Sequence, residues 1–160
     1  MRQMFQNIRT KRASEEEGFT LIELMVVVLI IAILLLIAIP TFLGARERAQ
    51  DRAAQSNLRN AITNAKTIFT DHEDYQEATP SALNTNEPSL TFQTATSDDA
   101  KKISVATPDD TTIVMAAKSN SGTCFLIKDS VGAGGPGTQY AKGSCDASAP
   151  GSPSWSTNGW

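Results

Sequence analysis

Gly18 is followed by FTLIELMVVVLIIAILLLIAI (residues 19–39) and then by PTFLG (residues 40–44). One charge, Glu23, interrupts the 21 residues from Phe19 to Ile39, and the 16 residues from Leu24 to Ile39 carry no polar side chain. A hydrocarbon core of about 30 Å takes roughly 20 residues of helix at 1.5 Å each, so the stretch spans a bilayer with Phe19–Glu23 near one interface. It is apolar on every face, which does not suit a helix half-covered by a soluble domain. A cleaved secretory signal carries an apolar region of about 7–15 residues and a small-residue cut site. This run is longer and ends in IPTFLG.

Glu23 needs an explanation. An acidic group inside an apolar helix is costly unless it lies at the interface or meets a cation. Residues 19–45 contain neither Lys nor Arg. One reading is a Glu that snorkels to the interface. The other is that the chain is cut just before Phe19, which creates an α-ammonium four residues from Glu23. That ammonium would pair with its own Glu23 or with Glu23 of another copy.

The run Gly18-Phe19-Thr20-Leu21-Ile22-Glu23, preceded by basic residues and followed by the apolar stretch, closely resembles the processing site of type IV prepilins and type II secretion pseudopilins. The resemblance covers about 35 residues and includes Pro40, which matches a proline many members carry there. It implies a leader, residues 1–18, removed by a prepilin peptidase between Gly18 and Phe19. It also implies N-methylation of Phe19 and a charge pair between Glu23 and the Phe19 ammonium of an adjacent subunit. The triplet Glu15-Glu16-Glu17 dilutes the leader's basicity without altering the Gly18–Phe19 junction.

Beyond the apolar run, Pro40 and Gly44 interrupt the helical pattern, and a kink or a locally melted turn is expected there. From Ala45 the sequence becomes amphipathic. Ala54, Leu58, Ile62, Ala65 and Phe69 form an apolar stripe, and Arg46, Glu47, Arg48, Asp51, Arg59 and Lys66 belong mostly to the other side. The periodicity stops near Asp71–His72. Residues 19–72 make 54 residues, roughly 80 Å of helix, too long for the 88 residues that follow to cover. The first half (19–44) must then be sheltered by lipid or by other copies, and the second half (45–72) by the head.

The 160 residues leave room for one modest domain beside that helix. Charge is unevenly placed. Residues 1–18 and residues 19–72 each carry a net +1, and residues 73–160 carry five lysines against ten acids. A chain of net charge −3 is not built for general capture of nucleic acid. A single histidine, His72, and two cysteines leave no four-ligand metal cluster of His and Cys, and no acid, base and nucleophile stand together. The reading is therefore not an enzyme, with no cofactor and no metal. Asp129 and Asp146 are too sparse to argue for calcium.

In the head, residues 73–100 read as an irregular connection with a short strand at Leu90–Thr94. Strands follow at Lys102–Thr107, Thr111–Ala117 and Thr123–Lys128, joined by short turns that favour an antiparallel meander with one face on the helix stripe. Gly132–Gly137 lacks the ending of a phosphate loop and reads as a flexible turn. Residues 147–160, rich in Ser, Pro and Gly, read as loosely ordered. Cys124 and Cys145 are either free thiols or a bridge closing a loop worth about 3 kcal/mol. Two cysteines in a small exported head favour the bridge, which also places the head outside and the N-terminus inside. A disulfide loop near the C-terminus is likewise common in the family.

The expected fold is α+β: a long N-terminal helix packed against a small antiparallel sheet in residues 73–160. The expected function is a structural subunit that waits in the cytoplasmic membrane and then enters an extracellular filament. Its implied partners are itself, membrane lipid, the prepilin peptidase, a membrane platform protein and, indirectly, an assembly ATPase. Two rivals remain: a pseudopilin of a type II secretion or DNA-uptake apparatus, and a single-pass anchored binding domain.

Overall fold

The computed structural model describes residues 18–132 and 134–160; residues 1–17, nearly all of the expected leader, lie outside the described residues. The chain divides into two compact units, one ending at Leu43 and the other spanning Gly44–Trp160. One helix, α1 (Leu21–His72), contributes to both.

In the first unit, among the described residues, the large apolar side chains of α1 are uncovered. Every large apolar side chain from Phe19 to Leu43 is at least 48% exposed. The helix stays regular through Pro40 and Gly44. The expected melted turn is therefore not a feature of the single chain. A proline removes one backbone hydrogen bond, and the flanking turns carry the helix past it. Thr41 adds local support, its hydroxyl donating to the carbonyls of Ile37 at 3.1 Å and Ala38 at 2.9 Å.

In the second unit the stripe does what its spacing requires. Ala54, Leu58, Ala61, Ile62, Ala65 and Ile68 are buried, with Phe69 at the margin. They pack on a five-stranded sheet whose order follows the chain: β1 (Thr91–Gln93), β2 (Lys102–Asp109), β3 (Thr112–Lys118), β4 (Cys124–Ser130) and β5 (Gly137–Lys142). Strand alternation puts Ile103, Val105, Ile113, Met115, Ala117, Phe125 and Ile127 against the helix. The other face carries Val114, Ala116, Leu126 and Ala141 under a second cover made by Ala147 and Trp155.

The sheet departs from the expected meander in two places. β2, β3, β4 and β5 are antiparallel neighbours, but β1 lies parallel to β2, pairing Phe92 with Ile103. The connection from β1 reaches back through residues 94–101 before β2 begins, which sets the parallel direction. β2 also runs past Thr107 to Asp109, absorbing Pro108 in a register shift between Ala106 and Asp109.

Residues 73–90 are not irregular throughout. Asp74 caps a short 3-10 turn at Tyr75–Glu77, and Thr79 with Pro80 opens α2 (Pro80–Asn86). A Thr N-cap followed by Pro at the first helical position is a start signal. Reading Pro80 only as a breaker hides it.

Candidate functional site

The N-terminal segment is organised by two side chains. Helix ends leave backbone N–H groups without partners, and a Thr followed three residues later by Glu satisfies them reciprocally. Here the Glu23 backbone N–H donates to Thr20 Oγ1 at 3.2 Å. Glu23 Oε2 in turn accepts from the Thr20 backbone N–H at 2.9 Å and from its hydroxyl at 2.7 Å. Gly18, Phe19 and Thr20 precede the helix and are exposed, Phe19 to 89%. The Gly18–Phe19 bond is thus an accessible peptide bond in non-helical chain, one turn ahead of a capped helix. Among the described residues, a Cβ added to Gly18 would meet no atom within 4 Å.

The sequence expectation for Glu23 named a cation as its partner. In the single chain its partner is Thr20, whose hydroxyl the sequence reading passed over. Thr20-x-x-Glu23 before an apolar run is the visible signal for this cap.

Cys124 and Cys145 form a disulfide with a Cα–Cα separation of 5.1 Å, joining the start of β4 to the segment after β5. Backbone bonds bracket it: Gly143 donates to the Cys124 carbonyl at 3.2 Å, and Ser97 donates to that of Cys145 at 2.9 Å.

A polar cluster that sequence reading missed joins the helix to the sheet. Asp129 is buried, and its carboxylate accepts from the Tyr75 hydroxyl at 2.6 Å and from Thr138 Oγ1 at 2.5 Å. Lys66 Nζ lies 2.8 Å from the same carboxylate and donates to Thr138 Oγ1 at 2.6 Å. Burial alone pushes the Asp129 carboxyl up, but the donors Lys66, Thr138 and Tyr75 outweigh it and hold it below the usual carboxylate range. The Tyr75 hydroxyl is pushed far above its ordinary value, first by burial and then by its bond to the Asp129 carboxylate. The period-two pattern Phe125, Ile127, Asp129 puts Asp129 on the inner face, which is the signal that was available.

The segment ending at Trp160 is ordered, contrary to expectation. Trp155 lies on the outer face of the sheet, where Lys128 Nζ sits 4.6 Å from its ring centre. Ser156 bridges the β5 edge through two backbone bonds to Tyr140, at 2.8 and 2.9 Å. Trp160 turns onto the helix side, edge-on to Phe125 and Tyr140, under Arg59, with its indole N–H donating to the Leu126 carbonyl at 2.8 Å. Composition suggested disorder because it weighs Ser, Pro and Gly and misses two aromatic anchors.

Residues 14–39 match the family model described as the prokaryotic N-terminal methylation motif. Over this segment the chain is similar to type IV pilins and to a competence protein. The type IV major pilin PilA of Myxococcus xanthus is 45% identical over 60 residues, covering 38% of this chain and 27% of that protein. The type IV wide pilus major component PilA4 of Thermus thermophilus is 42% identical over 59 residues, 37% of this chain and 45% of that protein. The competence protein ComGC of Halalkalibacterium halodurans is 36% identical over 58 residues, 36% of this chain and 57% of that protein. These alignments span between about a quarter and just over half of the relatives' lengths. No solved structure matches the chain.

Proposed function

We propose that the chain is the precursor of a type IV pilus structural subunit. Cleavage between Gly18 and Phe19 and methylation of the new terminus by a prepilin peptidase yield a subunit that polymerises through α1. The single observation that carries this reading is the exposed apolar surface from Phe19 to Leu43, most of which lies within the matched motif. Each large aliphatic side chain left in water forgoes about 1.5–3 kcal/mol of burial, so the segment needs lipid before assembly and neighbouring copies after it. Residues 19–44 are accordingly the membrane and filament-core half, 45–72 the amphipathic half, and 73–160 the surface head. In this reading the mature subunit waits in the cytoplasmic membrane, head outward. A platform protein, driven indirectly by an ATPase, moves it into the extracellular filament, and the turn around Pro40 and Gly44 is where helix is given up as copies pack.

Glu23 changes partners in this scheme. In the uncut chain it caps α1 with Thr20; after cleavage an adjacent Phe19 ammonium replaces a neutral donor with a charged one. A charge-assisted hydrogen bond is roughly twice as strong as a neutral one, which favours the exchange inside a filament that excludes water. The similarity to ComGC, a competence protein, supports a second reading, a pseudopilin of a DNA-uptake or secretion apparatus, distinguished by the absence of long surface fibres.

Intact-mass measurement of the membrane and fibre forms tests the reading. The expected species begins at methylated Phe19 and is two hydrogens lighter for the disulfide. A native product that keeps Met1 and never self-associates would identify an anchored binding domain instead. Glu23→Ala is expected to be cut and yet form no filaments; normal filaments from it overturn the Glu23 role.

A further inference from the structure

We propose that Asn158 is a self-modifying site: its side chain cyclises onto the Gly159 backbone nitrogen, reopens as aspartate or isoaspartate, and in the isoaspartate form unseats Trp160 from the head. The site lies within the head and does not depend on the filament reading.

Asn158-Gly159 is the one Asn-Gly pair in the sequence. Cyclisation needs the following backbone nitrogen to reach the side-chain carbonyl carbon. A Cβ on the following residue crowds that approach, and glycine has none. Asn158 is exposed, and the pair lies in neither helix nor strand. Gly159 has φ of 115°, and a Cβ there would meet nothing within 4 Å, so the space around it is open. Among the described residues, neither the Gly159 N–H nor the Asn158 side chain has a hydrogen-bond partner. The Asn158 N–H does donate, to Ser156 Oγ at 3.1 Å, which holds the preceding turn and leaves both reacting groups free.

The other described asparagines are held. Asn57, Asn60, Asn64, Asn84 and Asn86 sit in α1 and α2, where the backbone is fixed in helix. The amides of Asn57, Asn64 and Asn84 also donate to carbonyls, at 2.8, 3.0 and 3.1 Å. Asn120 is exposed in a turn, but Ser121 follows it, and the Ser121 N–H donates to Ser119 Oγ at 3.2 Å.

The chemistry needs only water. The Gly159 nitrogen gives up its proton and attacks Asn158 Cγ. The new C–N bond closes a five-membered imide, and Nδ2 leaves as ammonia. Water then opens the imide at either carbonyl. Opening at Cγ gives aspartate with the backbone unchanged. Opening at the backbone carbonyl gives isoaspartate, whose main chain runs through Cβ and Cγ and is one atom longer.

That extra atom falls between two anchors. Ser156 is fixed by two backbone bonds to Tyr140, and Trp160 by its indole bond to the Leu126 carbonyl and its contacts with Phe125, Tyr140 and Arg59. Only residues 157–159 connect them. Ser156 lies upstream of the change, so Trp160, directly downstream, is displaced.

The test uses the full chain in detergent with its disulfide intact, in a Trp155→Phe background where Trp160 is the one tryptophan. Samples age in warm, mildly alkaline buffer beside the same chain unfolded in guanidinium, which shows how fast the bare sequence reacts. Digestion, chromatography and enzymatic methylation of isoaspartate follow each asparagine. Asn158 should convert faster than Asn120 by at least about ten-fold. Trp160 emission should shift to the red in step with isoaspartate. Asn158→Gln should suppress both changes, and fresh Asn158→Asp, which adds the charge without lengthening the chain, should keep the unshifted emission. A folded chain that keeps Asn158 after the unfolded chain has lost it, or that converts Asn120 first, overturns the site. Isoaspartate that accumulates with Trp160 emission unmoved, or an immediate shift in Asn158→Asp, overturns the displacement of Trp160 by chain lengthening.

Discussion

Replacing Asp129 with alanine should be the most damaging single change in the head. The carboxylate is 1% exposed and takes three donors, from Tyr75, Thr138 and Lys66. Its loss strands the hydroxyl of Tyr75, a residue with no exposed surface, and a buried donor without an acceptor costs about 1–3 kcal/mol. The lost charge-assisted bonds add to this. Lys66 is 45% exposed and turns to water, which discounts its share. The sum is about 3–5 kcal/mol, the range seen when one partner of a buried pair is removed. Lys66→Met leaves the buried carboxylate with the Tyr75 and Thr138 donors alone and should cost less than Asp129→Ala, about 1–3 kcal/mol. The assay is denaturant unfolding in detergent followed by tryptophan fluorescence, since both tryptophans, Trp155 and Trp160, lie in the head. The pH profile gives an independent check. The folded carboxyl is held below its ordinary value, so its stabilisation is present above the unfolded value of about 3.9 and is lost as pH falls through the lower folded value. The wild type should therefore lose stability on acidification more steeply than Asp129→Ala. A variant within 1 kcal/mol of wild type, with an unchanged acid limb, would refute the argument.

Cys124→Ser with Cys145→Ser should lower unfolding stability by about 3 kcal/mol, the loop-closure value for a separation of 21 residues, and reductant should produce the same shift in the wild type. Trp160→Ala should cost about 2–4 kcal/mol, because it removes packing on Phe125 and Tyr140 and the Arg59 contact at 4.9 Å; hydrogen exchange at β5 should speed up alongside. Glu73, just past the end of α1, has φ of 57°, where glycine is favoured, so Glu73→Gly should raise unfolding stability by about 1 kcal/mol at most, seen as a higher melting temperature.

What could be read from the sequence follows from how local each cause is. The apolar run and the 54–69 stripe carry their own periodicity, so α1 and its buried face were legible, down to its end at His72. The three central strands showed because each is a short apolar or β-branched run bounded by turn residues. β5 did not, because Gly137-Thr-Gln-Tyr-Ala-Lys142 follows a glycine-rich turn and is a strand only through its pairing with β4. The parallel β1–β2 pairing was likewise invisible, since strand direction is set by where the connection travels and not by the strand's own residues. At the N-terminus, Gly18, Phe19 and Glu23 stood out by residue type, but the Thr20 cap requires asking where each helix-end N–H goes. Asp129 looked like an isolated acid because its donors come from residues 9, 54 and 63 positions away in sequence.

The bridge between Cys124 and Cys145 also fixes which strands can part. It ties the start of β4 to the segment just after β5, where Lys142 pairs with Phe125 and Gly143 bonds to the Cys124 carbonyl. Peeling β5 from β4 at this end would therefore need the covalent link to be opened, and a reducing compartment would leave the same strands held by hydrogen bonds and packing alone.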